Sequence, residues 1–302
     1  MNESQTFHRA TQDELTPSLR CFLILVHGGD PLTTNLPVSL ANRNFESRTE
    51  EQTSILRLRR PRSTARPVVR PPASWYLRCK AWLDTVLAVL IALPALPVIA
   101  LAALLVKLTS RGPAFYSQTR IGLGGRPFTI WKLRSMVVDS ERNGAQWCTK
   151  GDPRVTPIGW FLRKTHIDEL PQLLNVLRGE MALIGPRPER PEFIPHLEAV
   201  LPAYRQRLQV KPGVSGLAQV QLPPDTDLDS VRRKLAHDLF YVRHLSFWLD
   251  VRLYIATGFY ALTLPFRMWG WLLGLPDSST IEQMMSDVVS TEPINKPLKL
   301  SA

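Results

Sequence analysis

The chain has 302 residues, 44% of them hydrophobic, with 37 Lys and Arg against 26 Asp and Glu for a formal net charge of +11. A mean hydropathy of −0.07 excludes a multi-span membrane protein while leaving room for one embedded element on a soluble body. The charge excess favours an anionic partner, whether nucleic acid, anionic lipid or a phosphorylated substrate, or else is a solubilising surface. Cys21, Cys79 and Cys148 lie far apart with no C-x-x-C spacing. That excludes a disulfide framework and a zinc site and fits a reducing cytosol.

Residues 1–73 carry little helical or strand periodicity. The polar, acid-bearing opening "MNESQTFHRATQDELTPSLR" is not a signal peptide, and the short apolar run "CFLILV" at 21–26 has no assignment. The end of this part, "RLRRPRSTARPVVRPP", holds Arg57, Arg59, Arg60, Arg62, Arg66 and Arg70 with no acid among them. Proline and like-charge repulsion oppose packing, so residues 1–73 read as a disordered Pro/Arg-rich extension. It is either an inert linker or a segment drawn to anionic membrane lipids.

Residues 74–108 contain "TVLAVLIALPALPVIALAALLV" (85–106), about 22 uncharged apolar residues and long enough for a bilayer core. Pro94 and Pro97 sit at its midpoint, where each removes a backbone hydrogen bond. Cations flank both ends, Arg78 and Lys80 before and Lys107 and Arg111 after, which places both ends in the cytosol. A re-entrant helix that breaks at the prolines and returns to the same face fits both facts. A kinked spanning helix and a buried core helix are the alternatives. Asp84, at its mouth, is expected to pair with a cation.

Residues 109–257 read as a soluble domain. "PAFYSQTRIGLGGRPFTIWKLRSM" predicts strand, glycine turn at Gly122, Gly124 and Gly125, then strand. Leu170, Leu173, Leu174 and Leu177 recur at helical spacing, and Gly179 closes that helix. "HLEAVLPAYRQRLQV" predicts a further helix, "KPGVSGLAQV" a loop followed by a strand, and "DSVRRKLAHDLFYVRH" a basic amphipathic helix. In residues 258–302, "FYALTLPFRMWGWLLGL" (259–275) suits an interfacial apolar helix, followed by a disordered tail.

The chemistry concentrates in "RKTHIDELPQLLNVLRGEMALIGPRPE" (163–189). Pro171 is tolerated only near a helix start, so the helix begins near Ile167 and Asp168 and Glu169 fall in its first turn. Helix capping is the ordinary reason for such a pair. Thr165, however, is available as a cap, and the surroundings are rich in cations. Arg163 and Lys164 precede the pair, and Gly185-Pro186-Arg187-Pro188 is a stiff turn presenting one arginine suited to bidentate phosphate contact. Adjacent carboxylates facing cations can hold a divalent metal and leave one oxygen free to attack.

These blocks closely resemble the bacterial sugar transferases, the monotopic polyprenyl-phosphate phosphoglycosyl transferases. The resemblance runs from about Leu77 to Thr257 through 107–136, 154–189, "KPGVSGLAQV" (211–220) and "HDLFYVRHLSFWLDVRLYIAT" (237–257), in order. It implies the short, catalytic-core form. The implied fold is α+β, a small mixed helix/strand catalytic domain on a re-entrant N-terminal helix hairpin with interfacial amphipathic helices.

The implied reaction joins sugar 1-phosphate from a UDP-sugar to undecaprenyl (polyprenyl) phosphate and releases UMP. It would be the first membrane step of exopolysaccharide, capsule or O-antigen-type synthesis, at the cytosolic face of the bacterial inner membrane. Asp168 matches the nucleophile that forms an aspartyl-phosphosugar intermediate, and Glu169 its partner carboxylate. Both carboxylates are the implied Mg2+ ligands. Arg163 matches a phosphate-side cation, with Lys132, Arg134, Arg187 and Gln219 completing the substrate-binding set. Pro97, here joined by Pro94, matches the break of the re-entrant helix. Two positions depart from the pattern: Leu96 stands where Ser is common, and His166 where Ser or Thr is common.

Two other readings share these residues, a Mg-dependent lipid-diphosphate phosphatase and an inactive membrane scaffold. Nucleic acid is not expected, since no basic stripe interleaved with aromatics is present. The sequence is compatible with an oligomer.

Overall fold

A computed structural model describes residues 68–142 and 151–289. The apolar run at 21–26, the extension as far as residue 67 with most of its arginines, and the tail from residue 290 lie outside the described residues.

The first element, α1, is a 35-residue helix, Trp75–Thr109. It is followed by an antiparallel hairpin, β1 (Phe115–Ile121) and β2 (Pro127–Leu133), in register from Phe115↔Leu133 to Ile121↔Pro127. Its turn is where the glycines predict it, with Gly124 at φ 66° and Gly125 at φ 83°. Helix α2 (Pro157–Lys164) leads into a 3-10 turn, Ile167–Gln172, and the short α3 (Leu173–Leu177).

Strand β3 (Ala182–Ile184) comes next, then α4 (Ile194–Val200), a 3-10 turn at Tyr204–Gln209, and β4 (Gly213–Ser215), which pairs parallel with β3. The remaining elements are α5 (Leu217–Gln221), α6 (Leu228–His244), α7 (Phe247–Ala261), the single turn α8 (Phe266–Trp269) and α9 (Ser278–Val289). The architecture is mixed helix and strand, as expected.

Several sequence-based expectations are corrected. The helix expected over 196–210 is divided: Pro202 cannot continue it, and Leu201 before it is held extended. In 211–220 the strand comes first and a helix follows. Gly185 N donates to Ser215 O at 2.9 Å and Gly213 N to Pro186 O at 2.9 Å. A Cβ at Gly213 would meet Gly185 N at 2.1 Å, so this close pairing needs glycine. The boundary placed at residue 257 falls inside α7. The tail is not disordered over 278–289: Ile281, Met285 and Val288 recur at helical spacing and are buried in the same hydrophobic cluster as Leu235 and Leu239 of α6.

The long helix also differs from expectation, because α1 runs uninterrupted through Pro94 and Pro97. Ala95 and Ile99, beside the second proline, are buried in a cluster with Ile130, Leu133 and Val176, so tertiary packing holds the helix through it. One stripe of α1 is buried along its whole length, from Tyr76, Lys80, Asp84 and Ala88 to Ala95, Ile99, Ala102 and Val106. The opposite face leaves Leu90, Leu93, Leu101, Leu104 and Leu108 exposed, which a core helix would not do. It is long and apolar enough to cross a membrane.

Both ends of α1 are tied to the same body. At the start, Tyr76 Oη donates to Asp250 Oδ2 at 2.5 Å and Lys80 Nζ pairs with the same oxygen at 2.5 Å. Tyr241 Oη donates to Asp250 Oδ1 at 2.8 Å. Asp84 finds the expected cation in Lys80 at 3.2 Å and accepts from Tyr254 Oη at 2.6 Å. At the far end, Arg134 Nη2 donates to Ser110 O at 3.0 Å and Ser110 Oγ at 2.8 Å, and Nη1 donates to Arg111 O.

Asp250 is fully buried and joins α1, α6 and α7. Asp250→Ala removes the acceptor that Lys80, Tyr76 and Tyr241 share, leaving Lys80 with Asp84 and Tyr241 with Ile184 O, and we expect a loss of about 3–5 kcal/mol. Denaturant unfolding of the detergent-solubilised protein measures it; a loss below about 1 kcal/mol would contradict this role.

Candidate active site

Asp168 and Glu169 occupy the first turn of the 3-10 segment. Local sequence sets that position. Thr156 caps α2 by accepting from Gly159 N at 3.0 Å, and α2 ends at Lys164, carrying Arg163 in its last turn. Thr165, the cap expected from sequence, does not cap the turn bearing the carboxylates. Its Oγ1 donates back to Phe161 O at 2.9 Å and so closes α2. His166 then reverses the chain in the left-handed region, at φ 57°. Its ring stacks on Tyr260 of α7, with centroids 4.7 Å apart.

The two carboxylates are treated differently. Glu169 Oε1 accepts from Lys132 Nζ at 2.8 Å and from Arg187 Nη2, while Oε2 accepts from Arg187 Nη1 at 3.1 Å. The bidentate Arg187 and the β2 lysine hold Glu169 well below the usual carboxylate range against the opposing effect of burial. Asp168 is 6% exposed, and its carboxylate makes no hydrogen bond or ion pair among the described residues. Burial first, and the charge of Glu169 second, push it up to about 6; Lys132, Arg163 and Arg187 act in the other direction. The site thus holds one carboxylate engaged at three positions beside one with both oxygens available.

Arg187 is placed with equal care. Its turn follows β3, and its carbonyl accepts from Arg207 Nη2 at 2.7 Å. Arg207 is itself buried and paired with Asp238 of α6 at 2.6 Å. The GPRP turn is therefore anchored from beneath by a buried ion pair that the sequence reading did not find.

These groups line a cavity of about 860 Å³. Of the residues expected from sequence, Asp168, Glu169, Arg163, Lys132, Arg187 and Gln219 all reach it. Arg134 does not. Its guanidinium is buried on the carbonyls that end α1, where a cation complements the helix terminus. Residues that sequence reasoning missed also line the cavity: Arg120 of β1, Glu189, Asp225 and Lys234. A signal existed for Lys234, which lies on the same face of α6 as buried Val231, Leu235 and Asp238. Leu87 and Ile91 bring α1 to the cavity wall, so the charged site and the apolar helix share one space.

The donor set suits a small, hard cation. A carboxylate offers about four acceptor positions. Glu169 uses three, leaving one on Oε2, and Asp168 has all of its own. Among the described residues no group of three or more His, Cys, Asp or Glu gathers as a metal cage. Mg2+ ordinarily takes one or two carboxylates and completes its shell with phosphate and water, so these two residues fit it.

A model of the family described as bacterial sugar transferase matches residues 75–263. The chain is 45% identical over 187 residues to a UDP-N-acetylgalactosamine-undecaprenyl-phosphate N-acetylgalactosaminephosphotransferase of Aeromonas hydrophila, covering 62% of this chain and 44% of that one. A UDP-glucose:undecaprenyl-phosphate glucose-1-phosphate transferase of Caulobacter vibrioides is 44% identical over 180 residues, 59% of this chain and 67% of the relative. An exopolysaccharide production protein of Rhizobium leguminosarum is 40% identical over 173 residues, 55% and 86% respectively. The chain thus spans less than half the length of the Aeromonas relative.

The geometry separates two arginines that the sequence grouped together. Arg134→Ala should cost about 1–3 kcal/mol by leaving carbonyls at the end of α1 without donors, with affinity for inorganic pyrophosphate unchanged. Arg163→Ala should leave stability within about 0.5 kcal/mol and weaken pyrophosphate about tenfold. Thermal unfolding and pyrophosphate titration read the two effects; the reverse assignment would contradict the placement.

Proposed function

The chain belongs to the bacterial sugar transferase family, and from that membership and the cavity's chemistry we propose that it transfers sugar 1-phosphate from a UDP-sugar to undecaprenyl phosphate, releasing UMP. The observation that carries the reading is the division of labour between the two carboxylates, one clasped by two cations and its neighbour unpaired.

Asp168 is the nucleophile. One of its oxygens attacks the sugar-bearing phosphorus, forming a P–O bond. The bond from that phosphorus to the bridging oxygen breaks, and UMP leaves with it. A phosphate oxygen of the polyprenyl acceptor then attacks the same phosphorus and returns Asp168 to its free carboxylate. The two steps never need both substrates at once, which suits one substrate in water and the other in lipid.

The Arg163 guanidinium, which makes no hydrogen bond or ion pair among the described residues, and the remaining N–H groups of Arg187 and Lys132 receive the phosphate charge. Positioning and charge neutralisation are most of what phosphoryl transfer needs. Glu169 keeps Arg187 and Lys132 in place between them. Mg2+, held by Asp168 and the remaining position on Glu169, would neutralise phosphate oxygens.

Placement at the cytosolic face of the bacterial inner membrane is part of the proposal. A helix with one apolar face exposed, and with the opposite stripe and both ends held by one catalytic body, is suited to set that body against the apolar part of one leaflet. Exposed Trp82, Trp160, Trp248 and Trp271, with Lys164 Nζ 4.9 Å from the Trp160 ring centre, suit a headgroup boundary. The +11 charge favours anionic lipid there.

With a UDP-sugar it accepts and no lipid, purified enzyme should release about one UMP per active site and stop, resuming when undecaprenyl phosphate is added. Asp168→Asn should reduce release roughly 10⁴-fold or more. Continuous UMP release without lipid would instead mark a hydrolase, and an active Asp168→Asn enzyme would remove the nucleophile from the account.

A further inference from the structure

The cavity has two polar ends of opposite kind. Beside Asp168 the surrounding side chains have unused capacity in donors, since the Arg163 guanidinium makes no hydrogen bond or ion pair among the described residues and Lys132 has N–H groups to spare. Toward α6 the unused capacity is in acceptors. Asp225 receives Lys234 on Oδ2 at 2.6 Å, and its Oδ1 makes no hydrogen bond among the described residues. Glu189 Oε2 receives only the same lysine, at 3.4 Å. Gln219 points its amide toward Val214 O at 3.5 Å, which leaves its buried Oε1 without a partner.

An ionised phosphate has no hydrogen to donate, so these oxygens cannot serve it. The cations at this end are also already neutralised: Lys234 by Glu189 and Asp225, and Arg120 by Glu189 at 3.6 Å. Leaving the buried Gln219 Oε1 unmade costs about 1–3 kcal/mol, a cost a ligand bearing hydroxyl groups would recover. Gln219 therefore belongs with this end rather than with the phosphate.

We propose that Glu189, Asp225 and Gln219 form a hydroxyl-reading subsite for a vicinal diol of the donor, with Lys234 as the positioning residue that holds the two carboxylates side by side. This rests on the function proposed above and extends it to the non-phosphate part of the substrate. The same chemistry is carried by the hexose and by the ribose of a UDP-sugar. A site that hydrogen-bonds a hydroxyl rejects an analogue lacking it far more strongly than an apolar pocket rejects an extra methylene, so this end sets donor specificity.

The test is equilibrium titration of the full chain carrying Asp168→Asn, with and without Asp225→Ala, using UDP-glucose, UDP-N-acetylgalactosamine, UDP and 2′-deoxyuridine diphosphate. Asp225→Asn is the second variant: it can still accept from Lys234 while replacing the spare acceptor with a donor. The subsite predicts at least tenfold weaker binding of the better UDP-sugar with both variants. If UDP is unaffected, the hexose is the group read. If UDP is weakened and its 2′-deoxy analogue is not, the ribose is. Unchanged affinity for all four ligands, or equal weakening of all four, would overturn the subsite. Because the readout is binding, it is separate from the function proposal, which is tested by UMP release from the wild-type enzyme.

Discussion

The interaction on which the site depends is the clasp around Glu169. Two adjacent carboxylates in a buried turn repel one another, and both would tend toward the neutral form. Arg187 and Lys132 resolve this by engaging one of them almost completely. Glu169 is then a fixed anion that offsets one of the two cations it binds, and Asp168 beside it stays unpaired in surroundings that keep an excess of positive charge. A group pushed up to about 6 is still mainly ionised at neutral pH, which a carboxylate nucleophile requires. The arrangement costs stability, since a buried unpaired acid is unfavourable. Such costs concentrate where a protein does chemistry.

Around that clasp the fold is a set of tethers. Arg187 is steadied through its carbonyl by Arg207 and Asp238 on α6. Lys132 comes from a hairpin whose second strand leads directly to Arg134, and Arg134 closes the end of α1. Asp250 on α7 holds the start of α1 through Lys80 and Tyr76. The same body that aligns the charged groups thus fixes the apolar helix at both ends. Leu87 and Ile91 reach the cavity as a result, and a lipid-borne phosphate could approach Asp168 without leaving the apolar boundary.

Local signals were legible in the sequence wherever a single residue type dictates conformation. The glycine turn between β1 and β2, the start of the turn near Ile167 forced by Pro171, and the limits of α1 near residues 74 and 109 all follow from such rules. Most of the candidate site was legible too, because a D-E pair, a GPRP turn and flanking cations lie close together in the chain. What could not be read was set by distant partners. Arg134 looks like another phosphate-side cation until the carbonyls at the end of α1 are placed against it. The prolines of α1 read as a break because packing at Ala95 and Ile99 is invisible in the chain. Glu189, Asp225 and Lys234 meet only once α6 folds back over the strand loops. The α9 stripe, Ile281, Met285, Val288 and Val289, reads as a tail until α6 supplies its other half.

The claim at the centre of this account is that Asp168, and not its neighbour, carries the phosphosugar. Acid quenching of enzyme incubated with a UDP-sugar it accepts, followed by peptide mass mapping, tests it directly. The account predicts a sugar-phosphate mass on the peptide spanning 167–172, localised by fragmentation to residue 168. The adduct on Glu169, or no adduct on enzyme that has already released UMP, would contradict it.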